Sequence, residues 1–223
     1  EGSARTSVTA VVSDAGRALV SGRLLSEIAQ RLPNADVEVT LLDSRVEVRC
    51  GSATFSLPAM PVEEYPQVPK VDTVSGSVPA DVFADAIAQV SLAASKDDVT
   101  PVITGVQFEI TENSLTLTAT DRYRVATRGI DWENRGGQES LSALVPSKIV
   151  TEVGKTFAHD GQVQVAIVKD CERELIAFTG GSKTVTSLLI KGNYPPVGRL
   201  FPTAVDNYAV INTAELVEAV GRV

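Results

Sequence analysis

Apolar side chains recur along this chain with two periods. Runs of period two mark strands with one buried face, and they come three at a time. The first set is Val37-Glu-Val-Thr-Leu41, Val46-Glu-Val-Arg-Cys50 and Thr54-Phe-Ser-Leu57. The second is Val106-Gln-Phe-Glu-Ile110, Leu115-Thr-Leu-Thr-Ala119 and Tyr123-Arg-Val-Ala-Thr127. The third is Val163-Gln-Val-Ala-Ile167, Glu174-Leu-Ile-Ala-Phe178 and Thr184-Val-Thr-Ser-Leu188. Ahead of each set the spacing becomes helical, as in Phe83, Ala86, Ile87 and Val90, or Ile149, Val150, Val153 and Phe157. This spacing predicts helices over residues 22–32 and 147–157, among others. Asn113, Gly161 and Gly180-Gly181 supply turns between strands.

The order is an internal repeat. Val20-Ser-Gly-Arg-Leu-Leu-Ser-Glu-Ile-Ala29, Val78-Pro-Ala-Asp-Val-Phe-Ala-Asp-Ala-Ile87, Val145-Pro-Ser-Lys-Ile-Val-Thr-Glu-Val-Gly154 and Ile211-Asn-Thr-Ala-Glu-Leu-Val-Glu-Ala-Val220 align without gaps. Each opens on a β-branched residue. Five positions on stands a core-type residue (Leu25, Phe83, Val150, Leu216), and seven on an acid (Glu27, Asp85, Glu152, Glu218). Ser21, Pro79, Pro146 and Asn212 lie at the helix entries, where capping residues or an early proline are favoured. The repeating unit is therefore strand, helix, three strands, and the fold class is α+β.

Prolines punctuate the units. Pro58, Pro61, Pro66 and Pro69 separate the first copy from the second, and Pro195, Pro196 and Pro202 the third from the fourth; residues 132–140, between the second and third, contain none. The second and third copies thus pair into one domain, residues 71–202. Residues 1–70 read as the rear of a preceding domain and 203–223 as the front of a following one, so the chain reads as cut from a longer repeat protein.

Composition narrows the chemistry. A chain of 223 residues that is 43% hydrophobic suits one or two domains with real cores. No apolar run approaches the roughly 18 residues of a membrane span, no secretory signal opens the chain, and a cytoplasmic protein without membrane partners is expected. Net charge is −8, which opposes conventional DNA binding, because Lys and Arg must displace counterions from phosphates. A DNA role requires basic residues segregated on one surface. Cys50 and Cys171 are far apart and read most simply as free thiols, with a disulfide between them left open.

No catalytic constellation emerges, and neither a metal nor a cofactor is predicted. The only histidine, His159, lies in a polar turn sequence. Gly180-Gly-Ser-Lys-Thr184 lacks the spacing of a phosphate-binding loop and sits between strands, which predicts a hairpin turn. Cys171 has no neighbouring base, and Asp121 beside Arg122 and Arg124 predicts a structural ion pair. A hydrolase using His159 or Cys171 is the weakest of the readings.

Three segments carry a family resemblance: Thr118-Ala-Thr-Asp-Arg-Tyr-Arg-Val-Ala126, Gly192-Asn-Tyr-Pro-Pro-Val-Gly-Arg-Leu-Phe-Pro202 and Phe55-Ser-Leu-Pro-Ala-Met-Pro-Val-Glu-Glu-Tyr-Pro66. With them the whole chain resembles the beta subunit, or sliding clamp, of bacterial replicative DNA polymerase. The resemblance implies three domains per chain, each a duplicated strand–helix–three-strand unit. It implies that two chains form a homodimeric ring with helices inside and sheets outside. It also implies a non-catalytic processivity factor in DNA replication, which encircles double-stranded DNA without reading sequence. The resemblance implies that the replicative polymerase, the clamp loader and repair proteins dock on it through short peptides. The alternative reading is a β-rich protein–protein scaffold that never encircles DNA.

The resemblance further implies a partner-peptide cleft at Thr120, Arg122, Tyr123, Arg124, Val125, Pro195, Arg199 and Leu200. Val125, Pro195 and Leu200 offer apolar anchoring surface, and Arg124 and Arg199 can reach peptide carbonyls or carboxylates. Arg122 departs from the pattern, because many relatives have Gly or Ser there. Arg23, Arg31, Lys96, Lys148 and Lys155 are the candidates to face DNA, with Lys148 and Lys155 seven apart and so nearly on one helix face. Asp81, Asp85, Glu215 and Glu218 on the same set of helices work against a purely basic surface.

Overall fold

A computed structural model describes residues 2–66, 71, 73–137, 140–169, 174–202 and 204–222. Pro69 and Cys171 lie outside the described residues. The chain divides into two compact units, one of Ser3–Asp72 and one of Thr73–Val223 together with residues 1–2.

The chain opens with β1 (Gly2–Thr6). The first unit then holds α1 (Gly22–Ala29) and an antiparallel sheet of β2 (Val37–Leu42), β3 (Arg45–Cys50) and β4 (Ala53–Pro58), in that order. Ser21 caps α1, its hydroxyl accepting from Leu24 N at 3.4 Å. Val46, Val48 and Leu57 form a small core against which Val20, Ile28, Leu32 and Phe55 pack. The helix ends at Ala29, short of the predicted Leu32, and Arg31 stands in the turn after it. Pro33 explains this, since the residue before a proline is disfavoured in helical conformation. Cys50 is buried, and its thiol lies 3.3 Å from Pro33 O and 3.4 Å from Ala35 O.

The second unit realises the repeat twice. One copy runs β5 (Gly76–Pro79), α2 (Ala80–Ser91), β6 (Gly105–Ile110), β7 (Ser114–Thr120) and β8 (Val125–Asp131). After a short β9 (Glu133–Asn134), the other runs β10 (Leu141–Pro146), α3 (Ser147–Phe157), β11 (Gln162–Lys169), β12 (Glu174–Gly180) and β13 (Lys183–Leu188). The copies exchange their first strands. β5 joins the second copy's sheet beside β11, and β10 joins the first copy's sheet beside β6, both antiparallel. The sheet orders in this unit are β13–β12–β11–β5–β9 and β10–β6–β7–β8. Neither copy therefore has a complete sheet without the other.

Helices α2 and α3 pack on each other and on the two sheets around one core. Phe83 of α2 meets Phe108 of β6 edge-on and stacks on Phe178 of β12, with ring centroids 6.2 and 6.0 Å apart. This cluster joins a helix and both sheets, and burial of three such rings is a leading source of the unit's stability. The repeat positions five residues on, Phe83 and Val150, are both buried here, whereas Leu25 and Leu216 in α1 and α4 (Thr213–Val220) are exposed. Three of the four acids seven on are exposed partners of nearby cations: Glu27 with Arg23 and Glu152 with Lys155 within their helices, and Glu218 with Arg222 just past the end of α4.

Three strand assignments differ from the sequence pattern, the first being β1, which was not predicted. β8 begins at Val125 rather than Tyr123, for a reason that lies in the Asp121 turn described below. The two-residue β9 was not predicted. It pairs with Gly76 and Ser77 and brings Trp132 into the core at 4% exposure.

Candidate docking cleft and cationic surface

Strand β7 sets out the first wall of the site. Leu115, Leu117 and Ala119 point into the core, so period two turns Thr116, Thr118 and Thr120 to the opposite face. The register places Val125 across from Thr120 and Thr127 across from Thr118, which adds both to that face. The strands are joined by a turn whose geometry Asp121 fixes. Its Oδ1 accepts from Tyr123 N and Arg124 N, each at 3.0 Å, and its Oδ2 receives Arg124 Nε at 3.0 Å. Thr120 Oγ1 donates to Arg124 O at 2.8 Å and accepts from Arg122 N at 3.2 Å. Such side-chain acceptors compete with ladder formation, and that is why Tyr123 and Arg124 leave the strand. Partial desolvation acts against the Asp121 charge. The Arg124 and Tyr123 amides and the Arg124 guanidinium outweigh it and hold the carboxyl below its ordinary range.

The second wall is the segment after β13. Leu189 N donates to Glu174 O at 3.0 Å and Ile190 N to Leu144 O at 2.8 Å, stitching its start to both sheets. Gly192 follows with φ 140°, where a Cβ would come within 2.5 Å of Val102. Tyr194 then turns back toward the Thr120 main chain. Its hydroxyl is shut off from water without a hydrogen bond of normal geometry, and burial pushes its pKa up to about 12. Pro195 and Pro196 lead into a 3-10 turn, Val197–Leu200.

Between the walls lies a cleft of about 1120 Å³, lined among others by Thr118, Thr127, Leu144, Pro195, Arg199 and Phe201. Of the residues singled out from sequence, Pro195 and Arg199 line it. Thr120 and Val125 extend the Thr118–Thr127 row, and Arg122, Tyr123 and Arg124 form the turn at its end. Tyr123 is 96% exposed, and Leu200 lies on the 3-10 turn outside the lining at 62% exposed. Tyr194, Thr118, Thr127 and Phe201 were not singled out, although the alternation along β7 already puts Thr118 on the face of Thr120.

The candidate DNA-facing cations are all exposed. Arg23 and Arg31 belong to the first unit, and Lys96, Lys148 and Lys155 to the second. Lys148 and Lys155 share the solvent side of α3, where Lys155 pairs with Glu152 at 3.0 Å. The neighbouring α2 exposes Asp81 and Asp85. This face is mixed rather than uniformly basic.

Other groups raised by the sequence have local roles. His159 is exposed in the turn after α3. Lys183 bonds both Asp160 carboxylate oxygens and Thr156 O, and lies 5.9 Å from the Phe157 ring centroid, so the glycine-rich segment is a hairpin turn with its lysine engaged. Among the described residues no cluster of three metal-ligating side chains occurs, and no helix is long and apolar enough to cross a membrane.

Paired repeats with exchanged strands and inward-packed helices define a clamp-type domain, and comparison with known families agrees. The DNA polymerase III beta subunit N-terminal domain matches residues 1–69, and the central domain of the same subunit matches 77–196. The chain belongs to the DNA polymerase III beta subunit family. It is 45% identical to the beta sliding clamp of Streptomyces coelicolor, over 100% of this chain and 60% of that protein. It is 42% identical to that of Micrococcus luteus, over 100% and 71% respectively. The crystal structure of the DNA polymerase sliding clamp from Bacillus subtilis matches with a TM-score of 0.83 at 27% identity, over 95% of this chain and 55% of that one. The chain thus spans three fifths of the length of the Streptomyces coelicolor relative.

Proposed function

We propose that this chain is part of a DNA sliding clamp, a non-catalytic ring that confers processivity on the replicative polymerase. The observation that carries this reading is the tandem match of two beta-subunit domains along the chain. Residues 71–202 act as one whole clamp domain, and 1–70 and 203–223 contribute to its neighbours. Two protomers close the ring around double-stranded DNA. Arg23, Arg31, Lys96, Lys148 and Lys155 attract phosphates weakly, so that the protein slides rather than reads sequence. The scaffold alternative is not favoured, since relatives at this level of identity are themselves named sliding clamps.

Polymerase, clamp loader and repair proteins dock by short peptides in the cleft between the Thr120–Val125 turn and the Pro195–Leu200 segment. Val125 and Pro195 give apolar surface, and the arginine stems extend it. The test is fluorescence anisotropy of a labelled peptide with leucine and phenylalanine anchors, added to the full-length protein. Saturable binding is expected for the wild type, with loss of at least about tenfold in affinity for Arg124→Ala combined with Leu200→Ala, the order of a lost anchor cluster. A folded double variant that binds as the wild type does would overturn the assignment of the cleft.

A further inference from the structure

Arg122 is the only non-glycine residue with a left-handed backbone among the described residues, at φ 82°. Glycine adopts this conformation freely and arginine only under strain. Strain that the surroundings maintain at a site points to a use for the side chain. Here the surroundings are explicit. Thr120 Oγ1 holds the Arg122 amide, and Arg122 Nη2 donates to Thr100 Oγ1 in the loop that follows α2. The guanidinium is thereby fixed at the end of the cleft with most of its donors unused.

The charge pattern says what those donors suit. Arg124, in the same turn, is already neutralised by Asp121. Arg122 is exposed and has no carboxylate within ion-pairing distance among the described residues, and the same holds for Arg199 on the cleft lining. Against a net charge of −8, the cleft thus presents two guanidinium groups that no carboxylate of the described residues neutralises. The planar fork of an arginine matches a carboxylate better than any other common peptide group.

We propose that Arg122 is a specificity-determining residue of the docking cleft and recognises an aspartate or glutamate side chain next to the apolar anchors of the docked peptide. This rests on the docking reading of the cleft. The test uses two labelled decapeptides with leucine and phenylalanine anchors, identical except for Asp or Asn at the position flanking the anchors. They are titrated by anisotropy into full-length wild type, Arg122→Gly and Arg199→Ala. Glycine suits the backbone at this position, so Arg122→Gly removes the side chain without threatening the fold. The wild type is expected to favour the Asp peptide about three- to fivefold at low salt, as for an exposed ion pair, with the preference shrinking as salt rises. Arg122→Gly should bind both peptides with the affinity the wild type shows for Asn. A preference that survives in Arg122→Gly, is absent from the wild type, or is lost only in Arg199→Ala overturns the proposal while leaving the cleft assignment standing. Failure of the wild type to bind either peptide overturns both.

Discussion

Tyr194 carries a hydroxyl that folding takes out of water beside the Thr120 main chain. An acid whose pKa rises on folding holds its proton longer in the native state. Between the ordinary value of 10.0 and the folded value of about 12, the native state binds more protons than the unfolded chain, so stability falls as pH rises. The contribution is intact below pH 10.0 and is lost progressively toward about 12. In Tyr194→Phe this alkaline loss should disappear, while stability at neutral pH changes by less than about 1 kcal/mol because no well-formed hydrogen bond is removed. Urea midpoints of both proteins between about pH 8 and pH 11.5 check this; parallel curves would contradict it. The contact also shows what sequence reasoning leaves out. The two cleft motifs were legible as residue patterns, yet nothing in either says that Tyr194 closes over Thr120. Asp121 is a similar case. Alternation alone extends β8 to Tyr123, and only the carboxylate accepting two amides moves the strand start to Val125.

At the level of elements, strand exchange ties the two copies into one folding unit, and β5 is held closely on its other edge by Trp132 and Glu133. A Cβ on Gly76 would lie 2.5 Å from Glu133 O and closer still to the Trp132 ring. A backbone oxygen cannot swing aside as a long side chain can, so Gly76→Ala should cost about 1–3 kcal/mol, as overpacked sites do. Gly129→Ala in β8 is the matched control, because the nearest atom to its Cβ is Thr116 Oγ1 at 3.9 Å. It should stay within about 0.5 kcal/mol of the wild type. Equilibrium urea unfolding separates the two, and equal destabilisation would show that the Trp132 contact is not what constrains β5. The order of elements was readable because burial imposes a period on each, and α3 runs over the predicted residues. The exchange of β5 and β10 was not readable. Period two reports which face of a strand is buried but is silent on which strand lies along its edge. β9, at two residues, is too short to have a period.

At the scale of the chain, a net charge of −8 and the proposed role around DNA are compatible only if attraction is local and weak, and the α2–α3 face allows its size to be argued. Asp81, Asp85 and Glu152 are exposed there together with Lys148 and Lys155. Glu152 already holds Lys155 at 3.0 Å, whereas no ion pair engages Lys148 among the described residues. A lysine that neutralises one phosphate contributes about 0.9 to the slope of log affinity against log salt. If this face lines the ring, Lys148→Ala should reduce that slope by about 1. Lys155→Ala should reduce it by less, because the removed charge was partly compensated and its loss frees Glu152 to repel the duplex at all salt concentrations. Retention on a closed circular plasmid after loading should be unchanged in both variants, since a closed ring holds DNA by topology. The slopes come from titrations on short linear duplex at several salt concentrations, and retention from gel filtration of loaded circles before and after linearisation. Equal slopes for wild type and Lys148→Ala would remove this helix face from the DNA-facing surface. Loss of retention on circles would mean that charge rather than closure holds the duplex.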